Sequence, residues 1–241
     1  MRRAISFLTP LGSSSTPTAT TFVWFPVVGA AIGALVGGVW WAAARGWSPL
    51  LAATVAVVAD LALTGLLHVD GLIDAADGLL APMTRERRLA VMADPAAGAF
   101  GVVAAIAVVA LRVGALASLR PTVVAVAGIW CASRTLMVVM ARTLPYARSG
   151  GLVTSFLATG SRGAAARAAL TSSTVVGMLL AGAALVWSCG VRGWWSLVAE
   201  VLAVAMVGLL SWRQIGGFTG DVLGAAGVLG ETCALVVLAW R

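Results

Sequence analysis

Long runs of Ala, Val, Leu and Gly alternate along the chain with short polar segments, and none shows the two-residue alternation of a barrel strand. A bilayer core about 30 Å thick takes roughly 20 apolar residues per helix. Seven stretches approach that length: 22–44, 50–67, 97–117, 122–141, 168–187, 194–212 and 222–240. The expected fold is all-α, a polytopic helical integral membrane protein of about seven transmembrane helices that forms one domain over residues 1–241. Gly29, Gly33 and Gly37 repeat at four-residue spacing, which reads as a helix-packing stripe. Ser13 to Thr21 reads as a loop entering the first span. No fixed-period repeat is present.

Composition agrees. Of 241 residues, 61% are apolar and 10% charged, against about 45–50% and about 25% in soluble domains. Soluble and disordered classes are excluded. The net charge of +7 comes from arginine alone, which in a membrane protein reflects cytoplasmic loops rather than a nucleic-acid partner. The expected surroundings are lipid. With the N-terminus in the cytoplasm, ten arginines fall inside and four outside, leaving the C-terminus outside. Cys131, Cys189 and Cys233 are scattered and suggest neither disulfide nor zinc. The apolar stretch after Met1-Arg2-Arg3 is too short for a cleaved leader.

Five of the nine acidic residues fall within 25 positions: Asp70, Asp74, Asp77, Glu86 and Asp94. On a helix advancing about 100° per residue, Asp70, Asp74 and Asp77 share one face. Like charges at that spacing repel, so keeping them beside an apolar span implies a neutralising cation. Oxygen donors favour a hard ion such as Mg²⁺, which retains several waters and shares its shell with substrate phosphate. The plain alternative is a solvated helix face, though that would mix basic residues into the run. An EF-hand loop is absent. His68 is either a general base, a metal-shell member or a bystander, and on a continuous helix it points away from the carboxylates.

Asp94 before Pro95 fits a helix N-cap, and a ligand role is compatible with it. Arg85, Arg87 and Arg88 serve either the inside-positive bias or phosphate clamping. Leu144 to Gly151 offers Arg148 and a Gly pair to a phosphate, and Gly216 to Ala225 offers open backbone, a helix N-terminus and Asp221. Asp60, Arg134, Glu200 and Glu231 fall inside spans, where ionisable groups are expensive. Asp60 with Arg134 is a candidate ion pair, and Glu231 could instead reach toward Asp221.

At this point a resemblance becomes visible. The run His68-Val69-Asp70-Gly71-Leu72-Ile73-Asp74-Ala75-Ala76-Asp77-Gly78-Leu79 resembles the H-x-D-G-L-x-D-x-x-D-G-L signature of the cobalamin synthase family, the adenosylcobinamide-GDP ribazoletransferases. Met92 to Gly101, Pro145 to Arg148 and Gly217 to Ala225 are similar to three further family blocks, in the same order, with Glu231 following. Ala75 and Ala93 depart from it, standing where Thr and Lys are common; the acidic positions do not depart.

The resemblance implies a Mg²⁺-dependent transferase of the cytoplasmic membrane, and the arginine distribution puts the polar segments that would carry its site on the cytoplasmic face. It would join adenosylcobinamide-GDP to α-ribazole, or to α-ribazole 5′-phosphate, with release of GMP; a homo-oligomer is compatible. On this basis Asp70, Asp74 and Asp77 are expected as metal ligands, with Asp94 or Asp221 completing the site. His68 or a carboxylate would take the proton, and Arg148 would hold phosphate. Tyr146, Gly217, Thr219 and Gly220 belong to the substrate-binding blocks. Two rivals remain. A CDP-alcohol phosphotransferase would carry D-G-x-x-A-R and a terminal D-x-x-x-D, but Asp74 replaces the Ala and that block is missing. A cation-coupled transporter would show repeat symmetry and broken mid-membrane helices.

Overall fold

Helix is the only way these apolar runs can satisfy their backbone N–H and C=O groups inside lipid without closing a barrel. A computed structural model describes residues 1–10, 19–148 and 164–240. After the short α1 (Arg2–Leu8) and a 3-10 turn (Ala19–Trp24) come α2 (Phe25–Ala43), α3 (Pro49–Leu63), α4 (Leu67–Leu80), α5 (Arg85–Val91) and α6 (Ala99–Ser118). They are followed by α7 (Val123–Thr143), α8 (Ala164–Cys189), α9 (Val191–Ile215) and α10 (Gly220–Leu238). Most of the expected Ser13–Thr21 loop, and Ser149 to Gly151, lie outside the described residues.

Among the described residues, six helical segments are long and apolar enough to cross a bilayer, those containing α2, α6, α7, α8, α9 and α10. The expected span 50–67 is the exception. Here α3 stops at Leu63 and the chain bends by 88° into α4. Gly65 and Leu66 occupy the left-handed region, with φ of 58° and 62°, which ends a right-handed helix. Both halves are apolar, so hydropathy reads through the bend. With 14 residues, α4 is about 21 Å long, too short to cross alone. It departs steeply from the direction of α3 and carries the carboxylates at its end of the bundle.

Exposed tryptophans mark both ends of the bundle, Trp24 and Trp212 at the carboxylate end and a larger group at the other. In that larger group Trp41 lies in the last turn of α2 and Trp47 just beyond it, Trp187, Trp194 and Trp195 flank the α8–α9 turn, and Trp240 follows α10. Amphipathic rings gather at bilayer interfaces in this way. Between the ends, Leu35, Ile106, Leu179, Leu202 and Met206 stay exposed, as side chains solvated by lipid do.

The Gly29–Gly33–Gly37 stripe lies flat on α7, as packing requires. A Cβ at Gly29 would stand 2.5 Å from the carbonyl oxygen of Trp130, and one at Gly33 would stand 2.6 Å from that of Val126. Small residues let helix backbones approach closely. Gly33→Val should therefore cost about 1–3 kcal/mol by overpacking, seen as a lower thermal midpoint of the detergent-solubilised protein. An unchanged midpoint would show that the two helices do not meet there.

A buried ion network ties the remaining helices together. Arg112 on α6 reaches Asp60 on α3 at 2.7 Å and also pairs with Glu231 on α10, which in turn pairs with Arg134 on α7. Trp130 Nε1 donates to the other Asp60 oxygen at 2.9 Å, and Arg112 Nε donates to Thr232. Asp60 is thus paired with Arg112, not Arg134, and Glu231 lies in the core rather than turning toward Asp221. The reason is placement: α6 lies against both α3 and α10, so its arginine takes both acids. Glu200 is also fully buried, on α9, and neither of its carboxylate oxygens has a hydrogen-bond partner among the described residues.

Candidate active site

Two glycines decide where the aspartates meet the rest of the site. On α4, a Cβ at Gly71 would stand 2.8 Å from the carbonyl oxygen of Asp221. On α10, a Cβ at Gly224 would stand 3.3 Å from the backbone of His68. The two helices therefore pack nearly backbone to backbone, which brings the first turn of α10, with Asp221, beside the aspartate stripe of α4. Sequence spacing gave no sign of this contact; the signal available was the glycine one residue after Asp70 and the one three residues after Asp221.

The start of α10 is shaped by its own cap. Thr219 is buried, and its Oγ1 accepts from the Val222 amide at 3.3 Å and lies 3.2 Å from Asp221 Oδ2 as donor. Gly220 beside it is exposed, and a Cβ there would meet nothing within 4 Å. The preceding residues are zipped onto the segment after α7. The Ala147 amide donates to Phe218 O and the Phe218 amide to Pro145 O, both at 2.9 Å. The rings of Tyr146 and Phe218 meet edge-on at 5.5 Å. At Gly217 a Cβ would stand 2.0 Å from Pro145 O, so no larger residue fits the zipper. This pairing carries Arg148 to Asp221, where its Nη2 stands 3.1 Å from Oδ2 and donates to Met92 O at 3.1 Å. Burial pushes the Tyr146 phenol up; the nearby Arg148 partly opposes that and the Asp221 charge adds to it.

Of the stripe, Asp70 is exposed and Asp74 partly so. Burial raises the Asp74 carboxyl to about 6, and the charges of Asp221 and Asp70 push the same way, opposed by Arg148. Asp77 differs from both. It is buried, and its two oxygens accept from the amides of Gly98 at 2.7 Å and Gly101 at 2.9 Å, at the start of α6.

Those bonds correct an expectation. Asp94 does not cap the third span: α6 begins at Ala99 after Gly98, and Asp94 is exposed, accepting only locally from the Ala96 amide at 3.0 Å. Four more residues separate it from the helix than Pro95 suggested, and a carboxylate from another helix fills the capping role. His68 also lies apart from the stripe. It is buried on the other side of α4, where the charges of Arg112 and Arg134 reach it, and neither ring nitrogen has a hydrogen-bond partner among the described residues.

Two of the three arginines of α5 hold backbone. Arg88 is buried and donates to Gly78 O and Leu79 O at 2.8 and 2.9 Å, closing the C-terminal end of α4. Arg85 donates to Ile215 O at 2.8 Å and to Ala147 O at 3.0 Å, bracing the end of α9 against the Arg148 segment. Among the described residues no three His, Cys, Asp or Glu side chains stand close enough together to hold a metal ion as they are placed. Asp70, Asp74 and Asp221 instead form an open, acidic floor, near enough for their charges to act on one another, with Arg148 at its edge. An open oxygen-donor set can hold a hard cation that completes its shell with water and phosphate.

The family model described as cobalamin-5-phosphate synthase matches residues 1–239. A Chlorobaculum parvum protein named adenosylcobinamide-GDP ribazoletransferase is 38% identical over 98% of this chain and 92% of its own length. Proteins of the same name from Bradyrhizobium diazoefficiens and Pseudomonas paraeruginosa are 38% and 36% identical, over 99% and 98% of this chain and 92% and 96% of theirs. No solved structure matches. With the blocks of Asp70 to Asp77, Arg148 and Asp221 gathered at one end of a helical membrane bundle and the match running along nearly its whole length, the chain belongs to the cobalamin-5-phosphate synthase family.

Proposed function

We propose that the chain transfers the phosphocobinamide group of adenosylcobinamide-GDP to a hydroxyl of α-ribazole or α-ribazole 5′-phosphate, releasing GMP. The observation that carries this is the meeting of Asp70, Asp74, Asp221 and Arg148, drawn from three separated segments, in a chain whose relatives bear the name of that transferase. In the reaction the acceptor oxygen bonds to the phosphorus on the cobinamide side, the bond from that phosphorus to the GMP oxygen breaks, and the hydroxyl proton goes to a base.

Mg²⁺ fits the donor set, since the three acids are oxygen-only, carry like charge, and leave the floor open to water and diphosphate. Asp70, Asp74 and Asp221 would hold it, and when bound it would neutralise charge on the diphosphate oxygens. The rest falls to the protein. Arg148 orients a phosphate oxygen, and the open backbone at Gly220 offers a helix N-terminus to another. His68 is buried behind α4, so the proton goes to a carboxylate, and Asp70 is the most exposed of the stripe. The ten-to-four arginine distribution supports a cytoplasmic site in the cell membrane.

Purified protein in vesicles, given adenosylcobinamide-GDP and α-ribazole, should release GMP with Mg²⁺ and stop on chelation. Release of CMP from a CDP-alcohol, with no GMP from the cobinamide donor, would contradict the assignment. Arg148→Gln separates two roles of one side chain. Loss of a charged phosphate contact should lower kcat/KM for the donor by about 10–100-fold. Binding of Mn²⁺ alone should tighten, because Asp221 loses its resident cation. Weaker Mn²⁺ binding would mean that Arg148 assists the metal directly.

A further inference from the structure

We infer that Asp77, although it lies on the same stripe as Asp70 and Asp74, is a positioning residue that locks α4 to the start of α6 and does not ligate the catalytic cation. The inference deepens the proposed metal assignment and rests on it for the contrast between the three aspartates. Its geometric basis is independent of that assignment.

Three observations converge. Both carboxylate oxygens are engaged, Oδ2 by the Gly98 amide at 2.7 Å and Oδ1 by the Gly101 amide at 2.9 Å. These belong to the unsatisfied donors that open any helix, and a negative charge there is favourable. The space around the carboxylate is closed by backbone. A Cβ at Gly98 would stand 2.5 Å from Oδ1 and one at Gly101 would stand 2.5 Å from Oδ2. A carboxylate has further lone pairs, but Mg²⁺ brings a shell of waters at about 2.0–2.1 Å, and α6 occupies the place where that shell would go. Finally, Asp77 is 7% exposed, whereas Asp70 is open to solvent and Asp74 partly so.

The stripe thus divides by turn of the helix. Its first two acids face the open floor, and the third is covered by the helix that packs on the last turn. Arg88, closing the carbonyls of Gly78 and Leu79 from α5, holds the same end from the other side. Asp77 and Arg88 together fix the C-terminal half of α4, so that the angle at which Asp74 meets Asp221 does not depend on the bound metal. Gly98 and Gly101 are needed because any side chain at either position would drive the carboxylate away.

Hydrogen exchange on the full-length protein in detergent, read at the amides of Gly98 and Gly101, tests this beside Mn²⁺ titration followed by electron paramagnetic resonance. In the unaltered protein, saturating Mn²⁺ should leave the exchange of both amides unchanged. Faster exchange on adding Mn²⁺ would mean that the ion pulls the carboxylate off α6, and would overturn the inference without any variant having to fold. Asp77→Asn, which retains one acceptor oxygen, should speed exchange at these amides by about tenfold. It should leave the dissociation constant for Mn²⁺ within about threefold, whereas Asp74→Asn should raise it by at least about tenfold. A loss of Mn²⁺ affinity in Asp77→Asn equal to that in Asp74→Asn, with exchange unchanged, would overturn it. If neither variant alters Mn²⁺ binding, the metal assignment of the stripe fails, while the exchange result still decides the role of Asp77.

Discussion

Asp74→Asn should lower GMP release by about 10²–10³-fold while the protein still folds. The side chain is partly exposed and makes no hydrogen bond that the fold needs, so an isosteric amide costs little structure. It does remove one negative charge from a place where Asp221 and Asp70 both act against the Asp74 carboxylate. A cation held there would offset that repulsion, and a metal's transition-state stabilisation amounts to several kcal/mol. The measurement is kcat with saturating donor on protein that elutes as a single species. Turnover within about threefold of the unaltered chain would show that Asp74 does not hold the cation.

How much of this was legible in the sequence depends on the kind of contact. The glycine stripe of α2 declared its packing because its spacing matches helix geometry and glycine has one dominant use between membrane helices. The aspartate stripe declared a shared face for the same reason. The sequence could not show what covers that face, and so Asp77 looked equivalent to Asp74 although α6 sits on it. The bend after Leu63 was hidden because hydropathy sums over residues and ignores φ at Gly65 and Leu66. Arg112 was overlooked for a related reason. Deep in an apolar run, its partners come from positions 60, 231 and 232, and no local pattern joins them. By contrast, the segments around Arg148 and Asp221 were recognisable as blocks, and only their zipper through Phe218 and Ala147 was new.

Arg112→Met is expected to have the largest effect on stability. Asp60, Glu231, Arg112 and Arg134 form a set of two acids and two arginines, neutral as a whole and buried in the bundle. Removing Arg112 strands Asp60 with Trp130 alone as donor and leaves two acids to one arginine. Breaking a buried pair from one side costs about 3–5 kcal/mol, a large part of the stability of any single domain. Little monodisperse protein should be recovered from membranes. The double variant Arg112→Met, Asp60→Asn restores neutrality, with Glu231 still paired to Arg134, and should regain much of the yield. Failure of the double variant, with equal loss in both, would locate the cost in lost packing of the arginine stem rather than in unpaired charge.

The central claim is that a divalent ion is held jointly by the aspartates of α4 and α10 and by the donor's diphosphate. Its most direct test is titration of the full chain with Mn²⁺, followed by electron paramagnetic resonance, with and without GDP. The account predicts that GDP tightens Mn²⁺ binding in the unaltered protein and that this coupling disappears in Asp74→Asn and Asp221→Asn. Mn²⁺ binding that ignores GDP, or that survives intact in both variants, would contradict it.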